Sequence, residues 1–187
     1  MGTGAGTPGK ARCGPGNVRG ASYSEGMNTE RADFRAAMRR HREFLRFAVK
    51  GLTDDQAVRR STVSELTLGG VVKHVALTER GWMRFAVHGA EGPAFDPAAR
   101  ALEFVMGEGE TLESLLDLYG EVAAETEALL AELDLDAAHA LPEAPWYEPG
   151  TAWTVRRVLL HILAETAQHA GHADILRETV DGQKTMG

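Results

Sequence analysis

Near the C-terminus runs His161-Ile-Leu-Ala-Glu-Thr-Ala-Gln-His-Ala-Gly-His-Ala173, a stretch that carries a glutamate and three histidines inside what otherwise reads as one long helix. Glu165 and His169 stand four residues apart, so on a helix their side chains project the same way, one turn from each other. At about 100° per residue, Val155, Leu159, Ile162, Thr166, Ala173, Leu176 and Val180 make one apolar stripe. His169 falls inside that stripe and Glu165 on its shoulder. A carboxylate and an imidazole held against a core need a partner, because unpaired burial is expensive. A metal ion is one such partner. His74, beside the inward stripe of an earlier helix, offers a third donor. Two imidazole nitrogens and one carboxylate oxygen form a facial set suited to a borderline divalent ion such as zinc, with a position left for water or substrate. The spacing is not that of the H-E-x-x-H zinc proteases. A surface i,i+4 pair and a boundary histidine account for the same residues, and spacing alone leaves both readings open.

These side chains need elements to hold them. The first helix is expected from Thr29 or Glu30 to Lys50, with Gly51 as its stop. His41 shares its apolar face and reads as a core or boundary residue. A turn or small helix follows through Val58. Thr67 is the expected N-cap of a helix from Leu68 to about His88, whose inward stripe is Val71, Val75, Thr78, Trp82 and Phe85. Gly69 and Gly70 near its start cost roughly 1 kcal/mol each in propensity, which hints at close approach or room near a ligand. Glu79 lies on the opposite shoulder from His74. Residues 89–108 make a long connection with space for a short helix over 98–104. A third long helix spans about Thr111 to Leu133. The loop Leu141–Gly150 holds three prolines and the adjacent aromatics Trp146 and Tyr147. Thr151 or Thr154 caps the last helix, which runs to about Val180. No β-hairpin is expected. Four long amphipathic helices joined by long connections describe an all-α four-helix bundle.

Composition narrows the partners. A chain of 187 residues is long enough for one domain with a real core. Its 20 basic and 27 acidic residues leave a net charge of -7 and no basic stripe, so nucleic acid is not an expected partner. No apolar run approaches the roughly 20 residues that span a bilayer. Cys13 is the sole cysteine, which fits a cytoplasmic setting and excludes an internal disulfide. Residues 1–26 are rich in glycine and are expected to form a disordered tail ahead of a single domain over 27–187.

The chain resembles the DinB-like metal-binding four-helix-bundle superfamily, in particular its DUF664 branch, over roughly residues 28 to 183. The resemblance rests on Leu66-Thr-Leu-Gly-Gly-Val-Val-Lys-His74 with Glu79-Arg-Gly-Trp82. It rests equally on Trp153-Thr-Val-Arg-Arg-Val-Leu-Leu-His-Ile-Leu-Ala-Glu-Thr-Ala-Gln-His169 followed by Ala170-Gly-His-Ala-Asp-Ile-Leu-Arg-Glu178. It implies three metal ligands: His74, Glu165 and His169. The glutamate resembles the mycothiol-dependent maleylpyruvate isomerase type, where the wider superfamily often has histidine. A counterpart of that type's additional C-terminal domain is not expected, which weighs against isomerase activity.

The resemblance implies a metal-dependent S-transferase that uses a low-molecular-weight thiol, such as mycothiol, on an unidentified electrophile. Zinc is the expected metal, with nickel, iron and manganese as alternatives. The nucleophile would be the metal-bound thiol, none coming from the protein. His172, Glu79, Arg156, Arg177, Trp146 and Tyr147 are candidate supports of the ligands or substrate contacts, while His161 reads as facing solvent. Two other readings are metal-assisted hydrolysis, with water as nucleophile, and a non-catalytic metal-binding stress or resistance accessory protein. A homodimer is expected from the resemblance.

Overall fold

The computed structural model describes residues 1–2, 23–90, 97–144 and 146–185. In chain order its elements are α1 (Tyr23–Ala48), α2 (Asp54–Ala57), α3 (Leu68–His88), α4 (Pro97–Leu102), α5 (Leu112–Glu132), β1 (Ala138–Ala140), β2 (Ala152–Thr154) and α6 (Val155–Asp181). The four long helices form the expected all-α bundle. Helix α6 packs against both α1 and α3, and α5 against α3 and α1.

Helix starts follow side-chain chemistry. Thr67 Oγ1 accepts the Gly70 N–H at 3.1 Å and Thr154 Oγ1 accepts that of Arg157 at 3.1 Å, each satisfying a donor the first turn cannot. Thr111 and Ser114 cap α5 reciprocally, and Thr53 with Gln56 does the same for the single turn of α2. Helix α6 ends where Gly182 takes φ 81°, a left-handed conformation open to glycine at no steric cost. Helix α1 differs from expectation: it begins at Tyr23, so Thr29 lies inside it rather than capping it. Most of the expected tail, residues 3–22, lies outside the described residues.

The interior is layered. One apolar cluster draws on Leu45, Val49, Val71, Val75, Leu115, Tyr119, Ala173 and Leu176. A second contains Phe34, Met38, Met83, Phe85, Leu130, Val158 and Ile162. Between them in sequence the long helices place buried polar residues: Arg42 on α1, Thr78 and Glu79 on α3, Thr126 on α5, and Thr166 and His169 on α6. Helices α1 and α6 pass from the second cluster to the first, while α3 and α5 pass from the first to the second. Thus α3 and α5 run parallel, and residues 89–111 must return the length of the bundle to join them. At the polar level Arg42 donates from Nε to Glu79 Oε2 at 3.2 Å, and from Nη2 to Oε1. Burial, followed by the Glu79 charge, pushes the Tyr119 phenol well above its ordinary pKa.

One expectation is corrected. Residues 138–140 and 152–154 pair as a short antiparallel ribbon, with His139 opposite Trp153. Three-residue strands separated by a long proline-rich loop carry none of the alternation or tight-turn chemistry that marks a hairpin in sequence. The ribbon is held by what it packs on: His139 Nε2 lies 3.1 Å from the Ala86 carbonyl, and its ring meets Phe85 edge-on.

Candidate metal centre

Helices α3 and α6 face each other antiparallel, so successive turns oppose one another. His161, Glu165 and His169 rise one turn at a time on α6, and Trp82, Thr78 and His74 descend on α3. His74 is 1% and His169 8% exposed. Glu165 reaches in between, its Oε2 3.7 Å from His74 Nε2 and 3.5 Å from His169 Nε2. One donor atom from each residue lies within 4.8 Å of the others, a grouping that could hold a metal ion. With bonds of about 2.0–2.1 Å, tetrahedral ligands sit about 3.3 Å apart, so the carboxylate–imidazole spacings need only a few tenths of an ångström of closure. The donor set fits a borderline divalent ion.

The electrostatics agree. The neighbouring His169, then His74, hold the Glu165 carboxyl well below the usual carboxylate range, so it is an anion at neutral pH. On the far side of His169, its Nδ1 lies 3.4 Å from His172 Nδ1. A proton on His169 Nδ1 would be shared with His172 and leave the Nε2 lone pair facing Glu165, the usual outer partnership of a metal-binding imidazole.

A family model described as mycothiol-S-transferase matches residues 33–182, a span that includes all three donors. The chain belongs to the mycothiol-S-transferase family. Among solved structures, the crystal structure of a conserved protein from Enterococcus faecalis is similar, with a TM-score of 0.58 at 15% identity. The match covers 81% of this chain and 97% of that one, and at such identity it speaks to the fold alone. No curated protein matches the chain.

For this mycothiol-S-transferase family member the remaining candidates divide by location. His172 lies beside the donors. Tyr147 connects through a chain of rings: it meets Trp153 edge-on at 5.8 Å, and Trp153 stacks on Trp82 at 4.9 Å. Trp146 is 56% exposed and packs edge-on against Tyr147. Arg177, eight residues beyond His169 and so about 12 Å along the helix axis, is buried and donates to the carbonyls of Ala48 and Lys50. Arg156 pairs with Glu30 and Asp136, and Glu79 with Arg42. These three charged groups tie the bundle together instead of gathering at the donors.

His161 departs from its expected solvent-facing position. It is half-buried, lies edge-on to Trp82 at 4.8 Å and to Trp153 at 5.2 Å, and places Nε2 3.7 Å from Glu165 Oε1. Burial pulls its pKa down, against the pull of Glu165. Sequence reasoning also missed Arg100, Glu103 and Phe104. Phe104 stacks on the His74 ring with centroids 3.8 Å apart, and Glu103 Oε2 lies 3.5 Å from His74 Nδ1. Arg100 and Glu103 have ion-pair spacing within a helical turn, but nothing in the sequence marks His74 as their neighbour. Trp82 was read as part of a stripe and of the resembling motif, without a place beside His161.

Proposed function

We propose that the protein is a metal-dependent S-transferase that joins a mycothiol-like thiol to an electrophilic small molecule. The observation carrying this reading is the convergence of His74, Glu165 and His169 across α3 and α6 in a chain of the mycothiol-S-transferase family. The chain has one cysteine, Cys13, in its N-terminal stretch, so the reacting sulfur is assigned to the cosubstrate.

A divalent ion, when bound, supplies the positive charge that lowers a thiol's pKa and keeps it as thiolate at neutral pH. The three side chains would hold that ion, with the Glu165 carboxylate offsetting part of its charge. Phe104 covers one face of His74, and Trp82 with Trp153 borders His161 beside Glu165. These apolar walls limit water around the two histidine donors and strengthen their electrostatics. In the net reaction a carbon–sulfur bond forms as a carbon–halogen or epoxide carbon–oxygen bond breaks with its electron pair: a halide departs and the thiol proton passes to solvent or buffer, whereas an opened epoxide oxygen stays attached and takes up a proton. Zinc is the proposed ion, and a cytoplasmic homodimer the proposed setting.

Metal analysis of protein purified without added metal and without a histidine tag tests the centre. About one transition metal per chain is expected, and almost none in the H74A/E165A/H169A variant. The transferase step is tested by following loss of free mycothiol in the presence of a panel of halogenated and epoxide electrophiles. Turnover that needs both metal and thiol supports the assignment. Equal turnover without thiol would replace it with hydrolysis, and a metal-loaded protein inert to every electrophile would leave a binding protein.

A further inference from the structure

Residues 97–111 pass the back of His74 on the way to α5. Phe104 stacks on the ring with planes 18° apart. Glu103 Oε2 lies 3.5 Å from Nδ1, while Nε2 faces Glu165 Oε2 at 3.7 Å. A neutral imidazole carries one proton, and the nitrogen that carries it offers no lone pair. Only the Nδ1–H form therefore presents a metal-binding nitrogen to Glu165 and His169.

We propose that Glu103 is a positioning residue for this centre: its carboxylate accepts a hydrogen bond from His74 Nδ1–H and fixes the ring in the tautomer whose Nε2 is free to bind metal. The proposal rests on the metal-centre reading, because it assigns Nε2 that use. Thr78 Oγ1 lies 3.5 Å from Nδ1 and 3.4 Å from Nε2, so its hydroxyl does not select between them. Two ionised carboxylates flank the ring, and Glu103, 3.5 Å from Nδ1, is nearer than Glu165, 3.7 Å from Nε2 and shared with His161 and His169, so Nδ1 is the better-served nitrogen. The 3.5 Å separation exceeds a formed N–H···O bond by a few tenths of an ångström, which a small side-chain rotation closes.

Glu103 is held for this task. Arg100 Nη1 donates to it at 2.7 Å and reaches Thr78 Oγ1 at 3.5 Å. Lys73 Nζ donates to the Val105 carbonyl at 3.0 Å and to Glu110 Oε2 at 2.8 Å, fastening the segment to α3 just beyond Glu103. The two glycines at the start of α3 permit this approach. A Cβ on Gly70 would run into the Phe104 carbonyl, and one on Gly69 into the Met106 sulfur. The Gly-Gly pair thus acquires a purpose: it lets the returning backbone come close enough for Glu103 to reach the far nitrogen of a metal ligand.

The experiment compares full-length wild type, E103A and E103Q by two readouts. The first is the ¹⁵N imidazole spectrum of His74 in metal-free protein at about pH 8, above the ordinary histidine range, assigned with H74A. The second is the zinc dissociation constant by chelator competition. Wild type is expected to hold its His74 proton on Nδ1. E103A is expected to shift the proton toward Nε2 and to bind zinc about 10–100-fold more weakly. E103Q, whose amide oxygen still accepts from Nδ1, should keep the tautomer and most of the affinity. A wild-type proton on Nε2, or an E103A protein with unchanged tautomer, overturns the proposal. So does an E103A protein that binds zinc as tightly as wild type. If wild type binds no zinc at all, the metal reading fails, while the tautomer comparison still decides the role of Glu103.

Discussion

At the scale of single residues, two carboxylates, Glu79 buried and Glu165 half-buried, have opposite assignments. Glu165 faces two imidazole nitrogens and an indole-lined histidine, while Glu79 faces a guanidinium at the polar level of the core. Removing one partner of a buried ion pair leaves an uncompensated charge. Arg42→Ala should therefore destabilise the fold by about 3–5 kcal/mol in urea unfolding, and the R42M/E79L double variant should recover most of that loss. Glu165 should reveal itself through pH. Its folded-state pKa is depressed, so its contribution is fully present above the unfolded carboxylate value, near 4, and is lost as pH falls through the lower folded value. Metal-free wild type should lose stability on acidification below about pH 4 more steeply than Glu165→Gln. Equal slopes for the two proteins would show that the histidines do not hold the carboxylate. The residues of this centre were readable early because a helix repeats every 3.6 residues: an i,i+4 pair in an apolar stripe is visible without coordinates. Glu103 was not, because no periodicity links a residue in a connection to a histidine 29 positions earlier.

At the scale of elements, glycines separate propensity from packing. Gly70 and Gly171 both sit inside long helices, where alanine is intrinsically better by about 1 kcal/mol. A Cβ at Gly171 meets nothing, whereas one at Gly70 meets a backbone carbonyl that cannot rotate away. Gly171→Ala should raise stability by about 0.5–1 kcal/mol. Gly70→Ala should lower it by about 1–3 kcal/mol, the cost of overpacking exceeding the propensity gain. Thermal unfolding of the two variants beside wild type reads both signs, and stabilisation by both would mean that the returning segment does not press on α3. The cap at Thr67, and Thr154 as one of two candidates for α6, were legible because each is local chemistry, a hydroxyl three residues before an orphan N–H. The ribbon of Ala138–Ala140 and Ala152–Thr154 was not, since its stability comes from the α3 and α6 side chains beneath it.

At the scale of the whole molecule, the centre bridges two helices that are distant in sequence and antiparallel in space. An ion bound by α3 and α6 together binds the folded state and not the unfolded chain. At free zinc about 100 times its dissociation constant, the native protein should gain about 2.7 kcal/mol, a gain absent from the H74A/E165A/H169A variant and reversed by chelator. A wild-type unfolding midpoint indifferent to zinc would separate the three side chains from any common ligand. By itself the amino-acid sequence determined the four amphipathic helices and the cap at Thr67, and it marked His74, Glu165 and His169 as candidate donors, because helical period and capping act over a few residues. Tertiary structure alone decided that α3 and α5 run parallel, that Arg177 and Arg156 serve the frame, and that His161 turns inward onto two tryptophans. It also brought Glu103 to the back of His74. Each of these depends on which helix faces which across the core, and that is settled by packing two apolar clusters around one polar layer.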